Sequence, residues 1–339
     1  MKLPRMLVVI VALAAIALTA CTEEAKQEPA APGGTSAPQA GGVTGRAVKV
    51  AFSAPGADHG WLKAITDNAR KEAEELGVDL VLAEGTNDTA SQVSQIETLI
   101  SQKPDVLVIL PQEGGPLTPV AQKAMQAGIP VVNVDREFST PAAYRTWIGG
   151  DNYGIGKAAA DFIANELKCN GNVVEIQGVA GISVTEQRTK GFTDGIKRCD
   201  GGIKVVASQP ADFLPDKGLQ VMETMLQGQK DIKAVYTHDD DMAMGAVQAI
   251  RNAGREDEMF ITGAGGSKDA MNLIAEGNLY RATFLYNPSM SGSAISLAKL
   301  IAERKGLSEL VEPEVPSRIE LPATTVTKEN VASVQSLGY

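Results

Sequence analysis

The sequence predicts an α/β protein made of two doubly wound parallel-sheet units in tandem. From Ala47 onward, short apolar runs rich in β-branched residues alternate with amphipathic helical stretches. This rhythm restarts after Asp151, as a second unit requires. The 339 residues suffice for two domains, each with its own core.

The first unit reads as a strand over 48–52, a helix over 61–76 and a strand over 78–83. A helix over 91–102, a strand over 106–110, a helix over 117–127 and a strand over 131–134 follow. Gly128 stops the last of these helices, and Ile129-Pro130 opens the strand after it. In the second unit the strands fall at 173–176, 203–207, 234–237 and 260–262, separated by helices ending near Cys199, Gly228 and Gly254. Ligands of such sheets bind beyond the carboxyl ends of the strands. Those ends carry Ser53, Pro111-Gln112-Glu113, Asp135-Arg136, Gln177, Gln209, His238-Asp239 and the stretch 263–266. Polar groups from both units thus converge on a cleft between them, the expected site.

Ahead of the first unit, Lys2 and Arg5 precede an apolar run from Met6 to Leu18 that ends in Leu18-Thr19-Ala20-Cys21. A basic start, a short apolar core and small residues before the cut define a secretory signal over 1–20. Leu-Thr-Ala-Cys resembles the bacterial lipobox, which implies cleavage before Cys21 and a lipid on its thiol. Residues 21–46 are rich in Ala, Pro, Gly, Gln and Glu without apolar periodicity, and read as a flexible tether. Cys169 and Cys199 remain for the exported fold. Their places at one end of a sheet favour a disulfide, the alternative being two free buried thiols.

Composition excludes several functions. Formal charge is −10; without Lys2 and Arg5, 29 basic residues face 41 acidic ones, which argues against nucleic acid. With two histidines in all, no Gly-x-Ser-x-Gly elbow and no phosphate-cradling Gly-x-x-x-x-Gly-Lys, the chain offers no catalytic constellation and calls for no cofactor. Gly263-Ala264-Gly265-Gly266 lacks the spacing of a dinucleotide turn. His238-Asp239-Asp240-Asp241 is a metal candidate on residue type, but acids at a helix start more simply cap free amides, and no metal is expected. Asp135-Arg136 sets an acceptor beside a forked donor, suited to vicinal hydroxyls. Trp61, one of the rare aromatics, follows a polar loop above a strand end and suits the apolar face of a sugar ring.

From about Val48 to Pro288 the chain resembles the periplasmic ribose/galactose-type sugar-binding proteins of ABC importers, above all their galactofuranose-binding member. Val-Asp-Arg (134–136), Gly-Asp-Asn-Tyr-Gly-Ile-Gly-Lys (150–157) and Val-Val-Glu-Ile-Gln-Gly (173–178) carry the resemblance. Ser-Gln-Pro-Ala-Asp-Phe (208–213), Asp-Asp-Met-Ala-Met-Gly-Ala (240–246) and the terminal Leu-Gly-Tyr extend it. It implies the type I periplasmic binding protein fold, with a three-segment hinge near Gly150, Tyr286 and Pro313. One lobe is then 47–150 plus 288–313, and the other 151–287 plus 314–339. Carried over by position, Ser53, His59, Trp61, Asp135 and Arg136 bind ligand from the first lobe, and Arg188, Phe213 and Asp239 from the second. Asp151, Asn152 and Tyr286 stand near the crossings.

Three positions depart from the pattern: Gly265 where Asp is usual, Asp239 where Asn is usual, and Tyr286 where Gln or another polar residue is usual. They imply a ligand other than ribose or galactofuranose. The expected partners are a small sugar or polyol, the permease subunits of an ABC importer and the membrane through the lipid anchor. The chain is expected to be a monomer at the outer face of the cell envelope. The alternatives are a sensor serving a membrane kinase or chemoreceptor, or a binder of a non-carbohydrate signal.

Overall fold

The computed structural model describes residues 45–339 apart from Glu84 and Asn278. The signal over 1–20, the lipidation site Cys21 and nearly all of the tether lie outside the described residues. The first lobe opens with β1 (Lys49–Ser53), α1 (Gly60–Leu76), β2 (Asp79–Leu82) and α2 (Thr89–Ser101). β3 (Val106–Ile109), α3 (Gly114–Gln126), β4 (Val131–Val134) and β5 (Thr146–Gly150) follow. The second lobe runs through α4 (Asn152–Glu166), β6 (Gly171–Gln177), α5 (Ser183–Ile196), β7 (Ile203–Pro210) and α6 (Pro215–Gly228). It continues with β8 (Ala234–Thr237), α7 (Asp240–Asn252), β9 (Phe260–Gly265), α8 (Lys268–Glu276) and β10 (Tyr280–Leu285). α9 (Met290–Glu303) and β11 (Arg318–Leu321) return to the first lobe, and β12 (Thr324–Thr327) and α10 (Val331–Val334) to the second.

The two sheets have orders β11-β5-β4-β3-β1-β2 and β12-β10-β9-β8-β6-β7. Read within each lobe, both follow one doubly wound scheme, with the order reversing at β1/β3 and at β6/β8. Central strands such as β3 and β4 are buried along their whole length, which accounts for their unbroken apolar runs. β11 pairs parallel with β5, whereas β12 pairs antiparallel with β10.

The edge strand β11 corrects one boundary. The third crossing falls between Leu321 and Thr324, not near Pro313, because the chain makes one more strand in the first sheet before leaving it. Arg318, on that strand, lies 3.9 Å above the Trp147 ring and bonds to Glu137. Cys169 and Cys199 are joined by a disulfide with Cα atoms 5.0 Å apart.

Glycines fix the helix pairs that carry the site. A Cβ on Gly156 would stand 2.1 Å from the Arg188 carbonyl oxygen, and one on Gly191 equally close to that of Tyr153. α4 and α5 therefore meet backbone to backbone, setting the height of Arg188 over the sheet. No helix among the described residues is long and apolar enough to cross a membrane.

Candidate functional site

One cleft lies between the lobes at the carboxyl ends of the strands. The first lobe lines it with His59 and Trp61 after β1 and with Asp135 and Arg136 after β4. The second lobe brings Arg188, Phe213 and Asp239, and Tyr286 enters from the crossing after β10. Val184, Ala264 and Gly265 complete the lining. Val184 was not anticipated, although it stands four residues before Arg188, on the same helix face.

Asp135 follows β4 in the left-handed region, φ 62°, a conformation Asp tolerates better than most residues. Its N–H donates to the Ile148 carbonyl at 2.9 Å, and its own carbonyl accepts from Trp147 Nε1 at 3.0 Å. Its carboxylate accepts from the Tyr286 hydroxyl. Burial pushes the Asp135 carboxyl above its usual range, against the opposing pull of Arg136, the Tyr286 hydroxyl and Arg188. Arg136 is 4% exposed and donates Nη1 to the Gln112 carbonyl at 2.8 Å. Its Nε is buried with no hydrogen-bond partner among the described residues.

Arg188 donates Nε to Asn152 Oδ1 at 2.9 Å and Nη1 to the His238 carbonyl, and lies 4.7 Å over the Tyr286 ring. Trp61 stacks on Tyr286 with ring centroids 5.5 Å apart and donates Nε1 to the Tyr286 carbonyl at 2.7 Å. Phe213 faces His59 across the lobes at 6.1 Å. Phe213 stands at φ 64° and packs on Gly178, where a Cβ would meet its ring at 2.0 Å. Asp239 caps α7, its Oδ1 accepting from the Met242 N–H at 2.9 Å. Burial and then the Asp241 charge raise its carboxyl well above the ordinary range.

Three expected ligand residues stand outside the lining. Ser53 is fully buried under the cleft, where its hydroxyl accepts from Gln92 Nε2 at 3.1 Å. Gln92 also donates Nε2 to the Leu110 carbonyl at 2.9 Å and accepts from the Gln112 N–H at 2.7 Å, tying Ser53 to the turn after β3. Asp151 caps α4, accepting from the Gly154 N–H at 2.7 Å. Asn152 holds Arg188 and also donates to the Tyr286 hydroxyl at 3.4 Å, so it supports the site from behind. His238 is likewise behind the wall, its Nε2 3.0 Å from Glu175.

One group of possible metal donors occurs among the described residues: His59, Asp239 and Asp241 bring ligand atoms within 4.8 Å of one another. Each has a protein partner already. His59 Nδ1 is 2.6 Å from Asp58, Asp239 caps α7, and Asp241 accepts from the Trp61 N–H at 3.3 Å.

Residues 50–306 match the model of the periplasmic binding protein domain. The chain belongs to the periplasmic binding protein family. The binding protein is 37% identical to the ribose import binding protein of Bacillus subtilis over 66% of its own length and 70% of that chain. It is 33% identical to the galactofuranose-binding protein of Escherichia coli, over 86% and 92% of the two chains. A crystal structure of a galactofuranose binding protein superposes with a TM-score of 0.78 at 30% identity, covering 86% of this chain and all of that one. The binding protein's family is one of extracytoplasmic solute-binding proteins rather than enzymes. Its two parallel-sheet lobes are the type I fold of those relatives.

Proposed function

We propose that this binding protein closes its lobes on one monosaccharide or polyol and hands it to the membrane subunits of an ABC importer. It works as a monomer held at the membrane by a lipid on Cys21. The observation that carries this reading is the lining of the cleft, where aromatic faces stand beside buried carboxyl and guanidinium groups drawn from both lobes. A sugar needs both surfaces. Its C–H faces pack on rings such as Trp61 and Phe213, and its hydroxyls exchange hydrogen bonds with Asp135, Arg136, Arg188 and Asp239. The unpartnered Arg136 Nε, a buried donor, is suited to a hydroxyl or ring oxygen.

A ligand gripped by both lobes favours the closed form because only that form offers all its contacts. Ribose and galactofuranose are the cargoes in the names of the relatives. The Tyr286 side chain and the bare Gly265 reshape the pocket relative to their family pattern, so the cargo of this chain is a different small polyhydroxy compound. Thermal shift against pentoses, hexoses, polyols and inositols tests the reading. A ligand that binds only the native state raises the melting temperature by mass action, and one or more of the panel is expected to do so. A folded protein that no member of the panel stabilises overturns the carbohydrate reading.

A further inference from the structure

α1 starts without a cap of its own. Its N-cap residue is His59, whose side chain makes no capping hydrogen bond, and its first turn holds no acidic residue. The orphan amides of a helix start need an acceptor. Here it comes from the other lobe: Asp241 Oδ2 accepts from the Trp61 N–H at 3.3 Å, and the Gly60 N–H faces the same carboxylate. A Cβ on Gly60 would stand 3.0 Å from Asp241 Oδ1, so glycine leaves room for this approach.

Asp241 is not part of the cleft lining, although its neighbour Asp239 is. It lies in the first turn of α7, pointed away from its own helix cap, which Asp239 provides. The residue whose amide it holds is Trp61, the ring stacked on Tyr286 in the cleft. Cap and aromatic wall are therefore adjacent on one helical turn.

We infer that Asp241 is a positioning residue that caps α1 across the cleft, so that closing the lobes completes the helix and sets Trp61 against Tyr286. The consequence for ligand capture rests on the sugar-binding reading above; the effect on closure does not, and is measured without ligand. In the open form the α1 amides turn to water, and the latch is lost. Losing this cap shifts the closed-to-open ratio about fivefold.

The test is small-angle scattering and tryptophan emission of the ligand-free full chain in the parent, Asp241→Ala and Asp241→Asn. Trp61 is 8% exposed, so opening moves its emission to longer wavelength. Asp241→Ala is expected to raise the radius of gyration and red-shift the emission, with circular dichroism unchanged. Asp241→Asn keeps an acceptor oxygen and is expected to stay nearer the parent. An Asp241→Ala protein with the parent's scattering profile and emission overturns the inference. That result would leave the thermal-shift test of sugar binding untouched, so the two readings fail separately.

Discussion

The two lobes repeat one strand order, but α7 of the second lobe and its counterpart α3 of the first begin differently. In the second lobe α7 is capped by its own Asp239, and the next two residues are also acids. Asp240 turns inward, where Tyr280, Thr283 and the amides of Gly266 and Ser267 converge on it. Asp241 reaches the other lobe. In the first lobe α1 and α3 begin at His59 and Glu113, neither of which makes a side-chain cap bond. The run at the start of α7 satisfies its own helix and has a carboxylate to spare, which the start of α1 takes. Repeating a topology twice does not repeat its chemistry; the short run Asp239-Asp240-Asp241 accounts for the asymmetry.

The strongest way to break that comparison is Asp240→Ala. Its carboxylate accepts from Tyr280 Oη at 2.6 Å, Thr283 Oγ1 at 2.8 Å and the Gly266 and Ser267 amides at 2.7 Å, all buried. Removing it strands those donors, at a cost of about 3 kcal/mol or more. Glu113→Ala, at the matching helix start of the first lobe, is expected to cost less than about 1 kcal/mol. Urea unfolding of the two variants measures both. Equal losses would mean that the lobes rely alike on these acids and would end the contrast.

Asp135→Ala comes next. It removes the first lobe's own cleft carboxylate, leaving Arg136 and the Tyr286 hydroxyl without their buried partner. Affinity for whichever sugar stabilises the parent should fall by at least about tenfold. Isothermal titration with that sugar reads the change, and an unchanged dissociation constant would take Asp135 out of the site.

Much of this was legible in the chain because strand ends bear their polar residues in order. β4 and β8 fell where the apolar runs stood, and Asp135, Arg136 and Asp239 followed at their carboxyl ends. The edge strand β11 was not legible. Arg318–Leu321 is a half-exposed four-residue run with two charges, and only pairing with β5 makes it a strand. Ser53, Asp151 and Asn152 were placed near the cleft by position alone. Which way each side chain turns is set by Gln92, by the free amides of α4 and by Arg188, and these are tertiary contacts without a sequence period. The trans cap on α1 was hidden for the same reason, since its partners are 180 residues apart.

Asp239→Asn sharpens the comparison with the smallest effect. The amide keeps an oxygen for the Met242 N–H, so the cap survives while the charge goes. Burial first, and the Asp241 charge next, raise the Asp239 carboxyl in the folded protein. An acid whose folded pKa is raised binds more protons folded than unfolded, so its charge costs stability. That cost is absent below the unfolded carboxylate range near about 3.9, grows as pH rises towards the raised folded value, and is full above it. The ligand-free Asn variant should therefore melt higher than the parent at neutral pH, and the two curves should converge as the pH falls. Melting temperatures across that range decide it. Curves that keep a constant gap at every pH would show that Asp239 bears no charge strain, and that the second lobe holds its acids as comfortably at the cleft as it holds Asp240 in the core.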